Sequence, residues 1–219
     1  MGKQPMHPLP RVYPILDTAT LAARGLDLAA AAAALLEGGA ALLQIRQKGH
    51  WSRDVFTAAR EVARLCREAG APLIVDDRAD FALLLAAGLH VGQDDLPPRD
   101  ARRLLGPEPL IGFSSHNQQQ LCAAGGEPVD YVALGPVFAT ASKPNPDPVV
   151  GVDELRRLRP LLDKPLVAIG GITRENAAAV LRAGADSLAV ISDLLPLPAT
   201  PRSLRERMEE WQRIVKTAA

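Results

Sequence analysis

The chain has no surplus of either charge: 25 basic residues stand against 25 acidic ones in 219 positions. That balance excludes a field able to hold nucleic acid or an anionic membrane by charge alone, so any anionic ligand has to be bound locally. Cysteine is nearly absent. Cys66 and Cys122 fall in segments with helical pattern and form no CxxC pair, which argues against a disulfide framework and for a reducing compartment. Both thiols are expected to be buried structural residues. Long apolar runs are missing too. The longest, Leu28 to Leu36, is bounded by Asp27 and Glu37 and falls well short of the ~20 residues that cross a bilayer, so it reads as a buried helix. Residues 1–10 hold three prolines and no apolar core, which fits a loose leader and not a secretory signal. Met6 stands where a myristoylation signal needs Ser or Thr. A soluble, cytoplasmic protein is the expectation, with a homo-oligomer left open.

What the chain does have is alternation. Short apolar runs bounded by turn residues occur at Val12–Leu16, Leu42–Arg46, Leu73–Asp76, Leu89–Val91, Leu110–Ser114, Tyr131–Leu134, Leu166–Ile169 and Ser187–Val190. Helical patterns separate them near Asp27–Glu37, Arg53–Ala69, Asp80–Ala86, Pro98–Leu105, Asn117–Ala124, Val152–Leu162 and Asn176–Ala183, and Pro201–Thr217 closes the chain. Eight strand–helix units imply parallel strands joined by crossovers. The runs are apolar on both faces, as strands packed inside and covered by helices outside must be. The fold class that follows is α/β, a single (β/α)8 TIM barrel over residues 11–219. A doubly wound open sheet would look similar, but its G-x-G-x-x-G fingerprint is missing after the first strand.

In such barrels the reactive groups stand where strands end and βα loops begin. The second strand ends in "LLQIRQKGHW". Side chains alternate along a strand, so Gln44, Arg46 and Lys48 share one face while Leu43 and Ile45 take the other. Two cations at the mouth suggest an anionic ligand; long side chains snorkelling to solvent are the plain alternative. The third strand ends in "VDDR" and the fourth in "HVGQDDLP", bringing Asp76, Asp77, Gln93, Asp94 and Asp95 to the same rim. Carboxylates on adjacent strand ends repel unless a cation lies between them. Magnesium suits, since it takes one or two carboxylates and keeps its other positions for water and phosphate oxygens. His90 has no partner at zinc spacing. One aspartate of each pair could instead cap the following helix, with Asp76 and Asp94 as the candidates.

Further round, "GFSSH" and "GPVFATASKPNP" add Ser114, His116, Thr140, Ser142 and Lys143. Ser114 and His116 lack an orienting third partner, so a hydrolase triad is weakly supported. A Schiff-base lysine is weak as well. The proline-rich stretch Lys143–Gly151 reads as a mobile active-site loop. "AIGGIT" and "AVIS" end strands seven and eight; there Gly170 and Gly171 let backbone amides approach a ligand, and Ile191 and Ser192 complete a phosphate cup of the kind barrels build at that place. Glycine needed only for close packing is the alternative. Two facing anion sites suggest two phosphorylated substrates, one of them a pyrophosphate.

Across nearly its whole length the chain resembles the thiamine phosphate synthase and thiazole tautomerase family. The resemblance rests on Q-x-R-x-K at Gln44, Arg46 and Lys48, on the D-D-R segment, and on "HVGQDDLP", "GFSSH", "GPVFATASK" and "AIGGITRENAAAVLRAGAD". It implies that 4-amino-2-methyl-5-hydroxymethylpyrimidine diphosphate is joined to a thiazole phosphate, giving thiamine phosphate and pyrophosphate. It also implies that Gln44, Arg46, Lys48, Asp76, Ser114 and Lys143 hold the diphosphate substrate, with Arg46, Lys48, Ser114 and Lys143 serving catalysis. Asp77 and Asp95 would bind magnesium, and Thr140, Ser142, Gly171, Ile191 and Ser192 the thiazole phosphate. Asp76 departs from the family, which usually has asparagine there, and Ser142 replaces the usual threonine. The tautomerase, an isomerase working through a histidine at the position of His116, is the nearest alternative. A non-catalytic binding protein for thiamine precursors is the third.

Overall fold

The structure, a computed structural model, describes residues 9–140 and 147–218. Eight parallel strands close into a barrel in sequence order. They are β1 (Val12–Asp17), β2 (Leu43–Arg46), β3 (Leu73–Asp76), β4 (Gly88–Val91), β5 (Ile111–Ser115), β6 (Tyr131–Leu134), β7 (Leu166–Ile169) and β8 (Ser187–Val190). The ring of helices is α1 (Thr18–Ala23), α2 (Leu28–Glu37), α3 (Arg53–Ala69), α4 (Ala79–Leu85), α5 (Pro98–Leu105), α6 (Gln118–Gly125), α7 (Val152–Leu158), α8 (Ala177–Arg182) and α9 (Pro201–Thr217). The single (β/α)8 barrel expected from the alternation is therefore the fold.

Period-two alternation sorts the strand residues into two cores. Leu43, Ile45, Leu73, Val75, Leu89, Val91, Val132 and Leu134 face outward under the helices. Tyr13, Ile15, Leu42, Ile74, Tyr131, Ala133, Val167 and Ala189 fill the interior. Helix ends follow local chemistry. Ser52 accepts a hydrogen bond from Val55 N to start α3, and Gly70, at φ +67°, stops it. Asp27 does the same for α2 through Ala30 N.

The differences from expectation are local. Helix α1 falls in a stretch read as connection. The helix expected over Val152–Leu162 ends at Leu158 and tightens into a 3-10 turn, Arg159–Leu161, because Pro160 lacks the N–H that would continue the ladder. Cys66 is buried as expected, but Cys122 is exposed on α6, since the inward face of that helix goes to Leu121 and Ala124. The expected leader mostly precedes the described residues, yet Leu9 packs against the interior core and Pro10 O accepts from Ser187 Oγ at 2.6 Å. Among the described residues no helix is long and apolar enough to cross a membrane.

The two ends of the barrel differ in kind. At the amino-terminal end Asp130 and Asp186 each accept a strand N–H, from Ile111 and Leu166 at 2.8 Å, and each pairs with an arginine, Arg102 and Arg159. These close the base, where barrels invest in stability. The carboxyl-terminal end holds the unusual chemistry.

Candidate active site

Register places Asp17 opposite Arg46 and Asp76 opposite His90, so the last interior positions of β1 to β4 form a polar rim. An alternating ionic row runs along it. Arg46 Nη1 hydrogen-bonds Asp17 Oδ2, and Arg46 Nε lies 3.8 Å from Asp76 Oδ2. Lys48 Nζ lies 2.9 Å from that same oxygen and hydrogen-bonds Asp77 Oδ2. The contact to Asp76 lacks hydrogen-bond alignment and is an ion pair only. Gln44, Arg46 and Lys48 do share one side, and both cations are paired with aspartates; Arg46 is largely covered, while Lys48 stays half exposed.

The third and fourth strand ends differ from the capping alternative. Neither Asp76 nor Asp94 caps a helix: the N-cap residues of α4 and α5 are Arg78 and Pro97, and neither helix has a side-chain cap. Asp76 is buried, which pushes its carboxyl up, while Lys48 and Arg46 oppose that shift. Its negative charge is thus matched by two cations within 4 Å. Burial likewise works to lower the Lys48 ammonium, and the charges of Asp76 and Asp77 more than reverse it.

Asp77 adopts a left-handed backbone, φ +62°, a conformation that aspartate and asparagine tolerate better than most residues. Its N–H bonds His90 O at 2.8 Å, and its carboxyl reaches that of Asp95. Burial raises Asp95; the N–H of Gly92, 2.7 Å from Asp95 Oδ2, opposes this, and the adjacent Asp77 carboxyl adds to the rise. Two adjacent carboxyls suit a hard divalent ion that takes few protein ligands. Among the described residues no group of three or more histidines, cysteines or acids could hold a metal; the two-carboxylate donor set fits magnesium, which binds through one or two.

Below the rim lies a buried chain of hydrogen bonds. The chain's only two tyrosines both sit in the interior. Gln44 Nε2 donates to Tyr13 Oη at 3.0 Å, Tyr13 and Tyr131 hydroxyls meet at 2.6 Å, Tyr131 Oη meets His90 Nδ1 at 3.1 Å, and His90 Nε2 meets Ser114 Oγ at 2.8 Å. Ser114 is thus paired with His90 and not with His116. Burial lowers the His90 imidazole to about 4 and raises both phenols, so all three stay neutral near pH 7.

The neutral histidine makes stability pH-dependent. Its folded value lies below the unfolded one, so the unfolded chain binds the extra proton between pH 6.5 and about 4. Stability from this group is full above pH 6.5 and falls as pH drops toward 4, by about 3 kcal/mol in all. The slope of unfolding free energy against pH in that window should be shallower in His90→Asn than in the unchanged protein. Equal slopes would show that His90 does not carry the effect.

On the opposite side the loops after β6 and β7 are in contact. Val137 N and Phe138 N donate to Ile169 O and Gly170 O at 2.8 and 3.0 Å. Gly170 and Gly171 have φ +95° and +62°, and a Cβ on Gly171 would lie 2.5 Å from Ala139 O. The glycines serve the close packing of the two loops, which places Gly171 beside the stretch leading to Thr140. Asn176 Nδ2 donates to Gly171 O at 2.9 Å and fixes the turn. Ile191 and Ser192 follow β8, with Ser192 opening a 3-10 turn. His116 Nδ1 meets Gly135 O at 2.7 Å and Asp147 Oδ2 at 3.5 Å. A carbonyl partner assigns the proton to Nδ1. Ser142 and Lys143 lie outside the described residues.

Sequence reasoning passed over Asp17, Tyr13 and Tyr131. The signal was parity: Tyr13, Ile15 and Asp17 alternate with outward residues, which puts a carboxylate at the rim beside Arg46.

Residues 12–194 match the family model described as thiamine monophosphate synthase. A thiamine-phosphate synthase of Koribacter versatilis (strain Ellin345) is 48% identical over 210 residues, covering 94% of this chain and 96% of the relative. That of Chloroflexus aurantiacus (strain ATCC 29366 / DSM 635 / J-10-fl) is 43% identical over 199 residues, covering 89% and 91%. Among solved structures, a thiamine phosphate pyrophosphorylase from Pyrococcus furiosus superposes with a TM-score of 0.82 at 32% identity, covering 95% of this chain and 96% of that one. The chain therefore belongs to the thiamine monophosphate synthase family of transferases.

Proposed function

We propose that the chain condenses 4-amino-2-methyl-5-hydroxymethylpyrimidine diphosphate with a thiazole phosphate, with magnesium held by Asp77 and Asp95. The observation that carries this reading is the ionic row at the mouth: Arg46 and Lys48 are ranged beside Asp76 and Asp77, with Asp95 next to Asp77. An isomerase acting on one phosphate ester has no use for such a row.

The chemistry asks for charge stabilisation and alignment more than for a strong base. The C–O bond between the pyrimidine methylene and the diphosphate breaks, and its electron pair leaves with pyrophosphate. The ring amino group stabilises the resulting methylene cation. The thiazole nitrogen then donates its lone pair to that carbon, forming the C–N bond. Arg46 and Lys48 receive the leaving group, joined in this reading by Lys143 and by the Ser114 hydroxyl. Magnesium, when bound, neutralises pyrophosphate charge. Gln44, Asp76 and the neutral chain beneath them would orient the pyrimidine. Thr140, Ser142, Gly171, Ile191 and Ser192 would hold the thiazole phosphate across the mouth, so that the rings meet in line. The reducing cytoplasm is the compartment this reading implies.

Pyrophosphate release tests the reaction class. It should require both substrates and stay stoichiometric with consumption of the thiazole phosphate; release from the pyrimidine diphosphate that does not need the thiazole phosphate, or none at all, would contradict a condensation. The isomerase reading makes a different demand on His116. His116→Ala should keep turnover within about threefold of the unchanged protein, because no step of the condensation needs a base there. A collapse by orders of magnitude would favour the isomerase.

A further inference from the structure

Arg46 is the inner cation of the rim, and the structure shows what aims it. Asp17, the last residue of β1, is 6% exposed and uses both carboxylate oxygens. Oδ1 accepts from Thr20 N at 2.8 Å and from Thr20 Oγ1 at 2.6 Å, which starts α1; Oδ2 accepts from Arg46 Nη1. Burial works to raise this carboxyl, and the hydrogen bonds from Thr20 and Arg46 more than offset it, so it stays ionised. The neighbouring Thr18 hydroxyl bonds the Gln47 side-chain oxygen and lies 3.4 Å from Arg46 O. One corner therefore fixes both the guanidinium and the backbone that carries it. A planar guanidinium held at one nitrogen by an anchored carboxylate keeps its remaining N–H groups in a fixed fork, which suits phosphate oxygens.

We propose that Asp17 is a positioning residue for the transfer: it acts through Arg46, holding the guanidinium where pyrophosphate departs. This rests on the functional reading above. A plain structural role, the capping of α1, is the competing account, and asparagine separates the two because it caps a helix about as well as aspartate.

Asp17→Asn should lower kcat/KM for the pyrimidine diphosphate by about 10- to 100-fold while leaving KM for the thiazole phosphate nearly unchanged. In an Arg46→Gln background the same change should cost less than about twofold, because residues acting as a unit are not additive. If Asp17→Asn fails to fold, Asp17→Glu serves: it keeps the charge, moves it by one methylene, and should reproduce the selective loss. Unchanged kinetics in the folded variant, or an equal loss with and without Arg46, would overturn the role of Asp17 and leave the reaction standing. An unchanged protein that forms no thiamine phosphate would overturn the reaction and this role together.

Discussion

Alanine at Asp77 or Asp95 is expected to lower magnesium-dependent turnover by about tenfold or more at saturating substrates. The cations of the rim survive either change. Without Asp77, Lys48 keeps its ion pair with Asp76 at 2.9 Å; without Asp95, the whole row from Asp17 to Asp77 persists. The loss is therefore one of metal and not of pyrophosphate-binding cations. Asp77 sits at φ +62°, where alanine costs about 1–2 kcal/mol, so Asp77→Asn is the cleaner variant: it tolerates that backbone and removes only the charge. Binding of Mn2+, followed by its electron spin resonance signal, should weaken in parallel with turnover. Near-normal rates in both alanine variants would contradict the metal assignment.

Gly112→Ala is expected to cost about 3 kcal/mol or more. A Cβ there would lie 2.1 Å from Tyr131 Cζ and 2.4 Å from its hydroxyl, and that ring cannot step aside. Tyr131 is fully buried and is tied to Tyr13 and His90 at once. Overpacking alone costs about 1–3 kcal/mol, and each displaced hydrogen bond adds about 1 kcal/mol. For a chain of this size the midpoint of thermal unfolding should fall by roughly 10 °C. In a Tyr131→Leu background the same alanine should cost much less. A full cost in that background would mean that the strand itself, and not the ring, requires glycine.

The barrel was legible because its signal is repeated: eight apolar runs with turn residues between them leave few architectures open. Boundaries moved by one residue where a cap decides them, as at Asp27 and Asn117. Helix α1 escaped notice because six residues complete under two turns and show no periodicity. At the site, strand parity placed Gln44, Arg46 and Lys48 correctly, but parity says nothing about partners. The capping role imagined for Asp76 failed because its position on the interior face sends it to Lys48 and Arg46. Pairing of Ser114 with His90 came from neighbouring strands whose contact no local spacing encodes. Asp17 was hidden for the same reason: its partner lies 29 residues away and meets it only across the β1–β2 register.

The most direct test of the account is formation of thiamine phosphate by the purified protein, supplied with both substrates and read as fluorescent thiochrome after oxidation, with magnesium and with excess chelator. Product that appears with magnesium and is lost with chelator is the predicted result. A folded protein that binds the thiazole phosphate yet forms no thiamine phosphate under either condition would contradict it.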